Sequence, residues 1–301
     1  MALEDIPATQ RERLAYIEMR VRFLGECRRQ DLLDRFTIQE AAATRDFAAY
    51  RLLAPNNLDF DSSRKCYLLG SKFKPLFDFP AERVLTWLSQ GFGDGVPVRQ
   101  RGYVPSELTP FISKPDMDAL AAISRAIHKR SLLKIRYCSL TSGKSERVIA
   151  PFALADSGWR WHVRAFDRKS GQFRDFSLTR ISSAKPLDEL AHEEEGPERD
   201  IQWSRIVELE LVPHPDNIRF PDAIESDLGM KNGCGYVQVR AAMTGYLLRL
   251  WNVDASPDHS LRGPEYQLWL RNTPALYGIQ NLALAPGYLR QDNKENQHGD
   301  V

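Results

Sequence analysis

Between residues 132 and 178 the chain alternates apolar and polar side chains in four short segments, with a glycine turn between each pair. The turns are Thr141-Ser-Gly143-Lys, Asp156-Ser-Gly158 and Lys169-Ser-Gly171, and the segments cover 132–139, 146–153, 159–167 and 172–178. Alternation marks strands, because successive strand side chains point to opposite faces. Strands this short, at near-regular spacing, predict a small all-β barrel.

The third segment, WRWHVRAFD, is unusual. Trp161, Val163 and Ala165 share one face; Arg160, His162, Arg164 and Phe166 share the other. One face suits a small core, and the other offers a row of hydrogen-bond donors that suits an anion. In the first segment Leu133, Ile135, Tyr137 and Ser139 lie on one side; in the fourth Arg174 lies with Phe176, and Arg180 follows. Guanidinium groups present forked donors to phosphate, and Tyr137 or Phe176 can stack on a base. Tyr137, Ser139, His162, Arg164, Arg174 and Arg180 are therefore the expected lining of a pocket for a nucleotide or nucleic-acid fragment. The plain alternative is that the arginines are surface groups paired with Asp167, Asp175 or Glu146.

Length allows two or three domains: 301 residues, 43% hydrophobic, net charge +1. That charge argues against indiscriminate nucleic-acid coating but permits a compact DNA reader whose positive charge is local. No apolar run approaches the roughly 18–20 residues that span a bilayer, and the N-terminus lacks a signal-peptide pattern, so a cytoplasmic protein with no membrane partner is expected. The four cysteines, Cys27, Cys66, Cys138 and Cys234, have no paired spacing; neither a disulfide framework nor a metal site is expected, and no cofactor.

Leu14, Ile17, Val21 and Leu24 recur at helical spacing among arginines. A short helix fits 31–36. Thr37, with Glu40 three residues on, fits a capping box opening a third helix over 38–53 that Pro55 ends. Two short strands, 58–60 and 66–69, follow around a turn-rich linker. Helix, short helix, longer helix and hairpin is the order of a winged helix-turn-helix, whose third helix enters the major groove. Gln39, Thr44 and Arg45 are expected near base edges, with Arg64 and Lys65 at the hairpin tip reaching phosphate.

Residues 73–80 read as extended and 81–90 as a helix, with Val84, Leu85 and Leu88 inward. Gly91, Gly93, Gly95 and Pro97 break it, and Pro110 and Pro115 break the chain again before a helix opened by Asp116. Residues 192–200, charged with Gly196 and Pro197, read as a linker. Beyond them strands fit 207–213, 236–243 and 267–271, and helices fit 221–230 and a stretch capped by Thr244. The polar residues beyond Gln291 are expected to be disordered.

The segment around Trp161 resembles the signature strand of WYL domains, with His162 in place of tyrosine and Val163 in place of leucine. Arg136-Tyr137, Arg147 with Pro151, Arg174-Asp-Phe176 and Thr179-Arg-Ile181 extend the likeness, and Ala43-Thr-Arg-Asp46 resembles the recognition-helix region of WYL regulators. Over nearly its full length the chain resembles the BrxR/CapW type of WYL-domain transcriptional regulator associated with phage-defence islands. The resemblance implies an α+β multidomain protein: a winged helix-turn-helix over 1–75, a helical connector over 76–130, an Sm-like or SH3-like WYL barrel over 131–190, and a WCX-like α/β dimerisation extension over 191–290. It implies a homodimeric repressor on an inverted-repeat operator in double-stranded DNA, with Asp46 paired to an arginine rather than to DNA. An RNA-binding Sm-like protein stays open, as does a nucleotide-processing enzyme using His162 with Asp167 or Asp175, although no nucleophile or catalytic motif accompanies them.

Overall fold

The computed structural model describes residues 3–91 and 114–288; the breaks expected at Gly93, Gly95, Pro97 and Pro110, and the polar tail beyond Gln291, lie outside them. Two compact units are present, Met1–Leu154 with Val163–Ala191, and Ala155–His162 with His192–Val301. Among the described residues no helix is long and apolar enough to cross a membrane.

The first unit begins with α1 (Ala8–Leu24), β1 (Glu26–Cys27), α2 (Arg29–Phe36), α3 (Glu40–Leu53), β2 (Leu58–Asp61) and β3 (Cys66–Leu69). The three strands form an antiparallel sheet in the order β1-β3-β2. Leu14, Ile17 and Val21 of α1 are buried with Leu32, Phe47 and Tyr50. Phe47 stacks on Tyr67 of β3 with ring centroids 4.0 Å apart, so α3 is held on the hairpin by an apolar contact whose burial stabilises by roughly 1.5–3 kcal/mol per side chain. Thr37 does not cap α3. It stands at the end of α2 with φ 53° and donates its N–H to Leu33 O, and Gln39 takes the position before α3. A turn that must reverse between two closely spaced helices needs a left-handed residue, and that requirement overrides the capping pattern.

Helices α4 (Ala81–Gln90) and α5 (Met117–Lys129) follow. Val84, Leu85 and Trp87 are the buried residues of α4. Asp116 caps α5, accepting from Asp118 N and Ala119 N. The Ser124 hydroxyl donates to Phe23 O at 2.7 Å, Arg22 pairs with Asp118 at 3.2 Å, and Arg125 donates to Arg22 O. Helix α5 thus packs on α1, and it also packs on the sheet that comes next.

That sheet has five strands rather than four: β4 (Ser131–Ser139), β5 (Gly143–Asp156), β6 (Trp161–Asp167), β7 (Gln172–Ser177) and β8 (Ile181–Leu190), in the order β7-β6-β5-β4-β8. The closed barrel expected from the spacing is not formed. After the single turn Leu178–Arg180, β8 runs antiparallel along β4 instead of pairing with β7, so β7 and β8 are the edges of this sheet among the described residues. The sheet still curls: Tyr137 on β4 meets Phe176 on β7 edge to face at 5.1 Å, although these strands are not neighbours.

In the second unit, residues 192–200 are not a linker. They form two single helical turns, in which Glu195 accepts from His192 N at 2.8 Å and the buried Asp200 caps α6 (Ile201–Ser204). Then come β9 (Ile206–Pro213), α7 (Pro221–Asp227), β10 (Gly235–Arg240), α8 (Ala241–Leu250), β11 (Val253–Asp254) and β12 (Leu268–Leu270), with sheet order β10-β9-β12-β11. Thr244 lies inside α8, where its hydroxyl donates to Arg240 O, rather than at the cap. Val207, Leu209, Leu211, Leu248, Leu268 and Leu270 form the core. Beside it His214 accepts backbone N–H groups from Asp216 and Asn217 at Nδ1, which assigns the hydrogen to Nε2, donated to buried Asp254 at 3.2 Å.

Candidate nucleic-acid interface and ligand-facing sheet

Helix α3 has two distinct faces. Ala43, Asp46, Phe47 and Tyr50 are buried, while Ala41, Thr44, Arg45, Ala48, Arg51 and Leu52 are exposed and recur at helical spacing. The small alanines leave the exposed face low enough to approach a flat or grooved surface closely. Gln39 is exposed just before the helix, and Thr44 donates its hydroxyl to Glu40 O at 2.9 Å. The structure therefore brings Gln39, Thr44 and Arg45 to one accessible end. Arg51, seven residues after Thr44 and so on the same side, was not singled out from sequence, although the seven-residue spacing alone identifies it.

What aims this face is a polar fastening beneath it. Asp46, 1% exposed, receives Arg13 Nε at 2.5 Å and Gln10 Nε2 at 3.0 Å. At the other end Tyr50 donates to Glu18 Oε2 at 2.7 Å, and the same carboxylate accepts from Leu76 N and Phe77 N. Asn57 donates to the Tyr50 oxygen and to Lys74 O, and accepts from Lys74 N. Burial pushes the Glu18 carboxyl above the ordinary range, against the hydrogen bonds that favour its charge. Recognition-type helix, first helix and the segment leaving the hairpin are thus joined at one buried carboxylate.

At the hairpin tip, Asp61 accepts from Ser63 N, the Ser63 hydroxyl and Arg64 N, fixing the turn. Lys65 is exposed with φ 50°. Arg64, also exposed, pairs with Glu26 at 2.5 Å, so it must leave that carboxylate to reach a phosphate.

The five-stranded sheet differs from the sequence expectation on one point of substance. Both faces of β6 are covered: Val163 and Ala165 are buried, and so are His162 and Arg164. Period two distinguishes two faces but does not say whether the second is open to solvent. Arg164 pairs with Asp175 at 3.1 Å, Arg147 with Asp167 at 2.7 Å, and Glu146 with Lys134 at 2.8 Å and Arg136 at 3.4 Å. These are the three carboxylates named as plain partners of the arginines. Arg174 is exposed and held on its own turn by Ser170 and Gln172, and Arg180 is half-buried at the end of the turn before β8. Ser139 accepts from Thr141 N and Ser142 N, serving the β4–β5 turn. His162 belongs to the second unit, where its ring lies 5.0 Å from Tyr246. Tyr137 instead borders an open groove of about 520 Å³ lined by Arg136, Cys138, Lys144, Ser145, Glu146 and Ser182. Arg136 and Lys144 there were not selected from sequence, because their accessibility depends on the β4–β5 hairpin turning them outward.

Among the described residues no group of three or more histidine, cysteine or acidic side chains is placed to hold a metal ion. Cys27, Cys66 and Cys234 are buried and Cys138 is exposed, all as free thiols.

Comparison with known proteins places these features. Residues 9–90 match the family model of the BrxR transcriptional regulator winged helix-turn-helix domain, residues 118–186 that of the WYL domain, and residues 206–276 that of the BrxR transcriptional regulator C-terminal dimerization domain. The chain is 31% identical over 282 residues to the DNA-binding transcriptional repressor CapW of Escherichia coli (strain KTE188), covering 90% of this chain and 91% of that one. It is 34% identical over 307 residues to CapW of Stenotrophomonas maltophilia, covering 96% and 95%. Among solved structures, Proteasome accessory factor B/C of Arthrobacter aurescens aligns at 19% identity and TM-score 0.26, over 78% of this chain and 44% of that one; at that score the likeness carries no structural weight.

Proposed function

Because the chain belongs to the BrxR/CapW family of WYL-domain DNA-binding transcriptional repressors, we propose that it represses transcription as a homodimer, each α3 reading one half-site of an inverted repeat. The observation that carries this reading is the exposed face of α3, with Thr44, Arg45 and Arg51 above a fully fastened buried face. An arginine on such a face can donate both forks to a guanine edge, and Lys65 and Arg64 on the wing supply phosphate contacts that fix register. A two-fold dimer presents two such faces, which suits a palindromic site. The family's association with phage-defence islands points to defence genes as those it controls.

We read the curled five-stranded sheet as the ligand-sensing element, with a nucleotide or nucleic-acid fragment as effector. The groove beside Tyr137, with Arg136 and Lys144 on its walls, supports an anionic, aromatic ligand. Arg164 takes part only if the ligand's phosphate displaces Asp175 from it, so Asp175 acts as a resident competitor. Helix α5 packs both on β4 and β8 and on α1, a continuous packed route by which occupancy of the sheet can bias the winged helix. Such a bias requires the ligand to bind one conformer more tightly than the other. The domain limits 1–75, 76–130, 131–190 and 191–290, with a WCX-like last segment, belong to this same reading.

A mobility shift with the DNA upstream of its own gene, titrated against salt, tests it. Specific retardation is expected, and Arg45→Ala should weaken it by about 1–3 kcal/mol while leaving the melting temperature unchanged. Equal preference for RNA, or an Arg45→Ala variant that binds as tightly as the parent, contradicts it.

A further inference from the structure

The central stripe of the exposed face of α3 is apolar except at one point. Ala41, Arg45, Ala48 and Leu52 are all exposed. At about 100° per residue their directions fall within about 60° of one another, on the side opposite the buried Ala43 and Tyr50. Of these four, Arg45 alone carries a side-chain hydrogen-bonding group. Glu40, Thr44 and Arg51 stand along one flank of the stripe. Thr44 is exposed there, but its hydroxyl donates to Glu40 O at 2.9 Å. A hydroxyl has one hydrogen, and this one is spent on the helix. What Thr44 keeps for a base is its γ-methyl and an oxygen that can only accept. Between Ala41 and Ala48 the helix rises about 10.5 Å, roughly three base steps at about 3.4 Å each.

We infer that α3 reads thymine methyl groups around a guanine in each half-site: Arg45 takes the guanine, and the methyl groups of Ala41, Thr44 and Ala48 select thymines within about two base pairs of it. The inference rests on the DNA-reading role of α3 given above and names the bases that role distinguishes. Thymine's C5 methyl is the apolar group that the major groove presents, and alanine and threonine methyls are the side-chain groups that match it. A cytosine in the same place would turn its N4 amino donor toward a methyl, and a polar group desolvated without a partner is penalised. Arg45 gains from the same surroundings, since small neighbours before and after it on the stripe let the backbone approach closely enough for both forks of the guanidinium to reach one guanine edge. The stripe therefore combines one strong polar contact with several weak apolar ones, and thymine content beside the guanine sets the preference among sites that share it.

Titration of the full chain on the DNA upstream of its own gene, with thymine or with deoxyuridine throughout, tests it without any change to the protein. Deoxyuridine keeps every hydrogen-bonding group of thymine and lacks only the methyl. The deoxyuridine duplex should bind at least about tenfold more weakly, several methyl contacts each being worth about fourfold. Two variants then assign the methyl at Thr44. Thr44→Ser keeps the hydroxyl that bonds Glu40 O and loses only the methyl; it should weaken binding to the thymine duplex by about fourfold per half-site and match the parent on the deoxyuridine duplex. Thr44→Val keeps a methyl and loses the hydroxyl; it should stay within about twofold of the parent on the thymine duplex. Each variant's fold is checked by its melting temperature. A deoxyuridine duplex bound as tightly as the thymine one overturns the methyl reading while DNA recognition by α3 stands. So does a Thr44→Val protein that loses affinity where Thr44→Ser keeps it, which makes the hydroxyl the reader. A parent that shows no preference for this DNA removes the repressor reading, and the base assignment with it.

Discussion

At the scale of single residues, two buried carboxylates decide how α3 is presented. Asp46 is almost fully enclosed, and Arg13, its partner, is 18% exposed. Removing one member of such a pair leaves an uncompensated buried charge, which costs roughly 3–5 kcal/mol. Asp46→Ala is therefore expected to lower stability by about that amount in urea unfolding, well beyond any exposed substitution on the same helix; a loss under about 1 kcal/mol shows the pair is no fastener. The partnership of Asp46 with an arginine was legible in the sequence, because the motif that contains it implied one. Glu18 was not: its partners stand 32, 58 and 59 residues away, and no local pattern announces a carboxylate that three separate segments share. Its folded pKa is raised by burial, so the folded state holds the proton more tightly than the unfolded chain does. Stability from this group is present below the ordinary glutamate range and is lost as pH rises through the raised value. Glu18→Gln cannot titrate. The stability difference between parent and variant should accordingly shift in favour of the variant as pH climbs through that window, and a pH-independent difference contradicts the assignment.

Secondary-structure elements were read with uneven success for physical reasons. Helices at 81–90 and 117–129 stood out because a proline or an aspartate opened each and apolar spacing filled it. Strand β8 escaped notice because Lys185, Pro186, Asp188 and Glu189 make it polar; it exists through pairing with β4, a tertiary cause invisible in its own composition. Residues 192–200 escaped for the converse reason, since charge, Gly196 and Pro197 look like a linker while Glu195 and Asp200 in fact cap the turns they sit in. The buried side of β6 is the most instructive case: Arg164 was legible as a functional type, and Asp175 as a possible partner, but burial and pairing are decided by β5 and β7 on either side. The wing carries its own test. A Cβ on Gly70 would lie 2.1 Å from Asn56 O, and Gly70 N donates to Asn57 O at 3.0 Å. Gly70→Ala must push the end of the hairpin away from the loop that holds Asn57 and, through it, Tyr50. It is expected to destabilise by at least 1 kcal/mol or so and to weaken DNA binding more than Lys65→Ala does, which should only flatten the salt dependence by about one ion. A stable Gly70→Ala protein with full affinity would show the hairpin is not what sets α3.

At the scale of the molecule, the proposal is a dimeric repressor whose winged helix packs through α5 on the five-stranded sheet, with that sheet proposed as the seat of an anionic effector. Its most direct test is a hydroxyl-radical footprint of the full chain on the DNA upstream of its own gene. The account predicts two symmetric protected half-sites whose centres are about 10–10.5 base pairs apart or a multiple of that spacing, both lost together in Arg45→Ala. A single asymmetric footprint, or protection that survives that substitution, would contradict it.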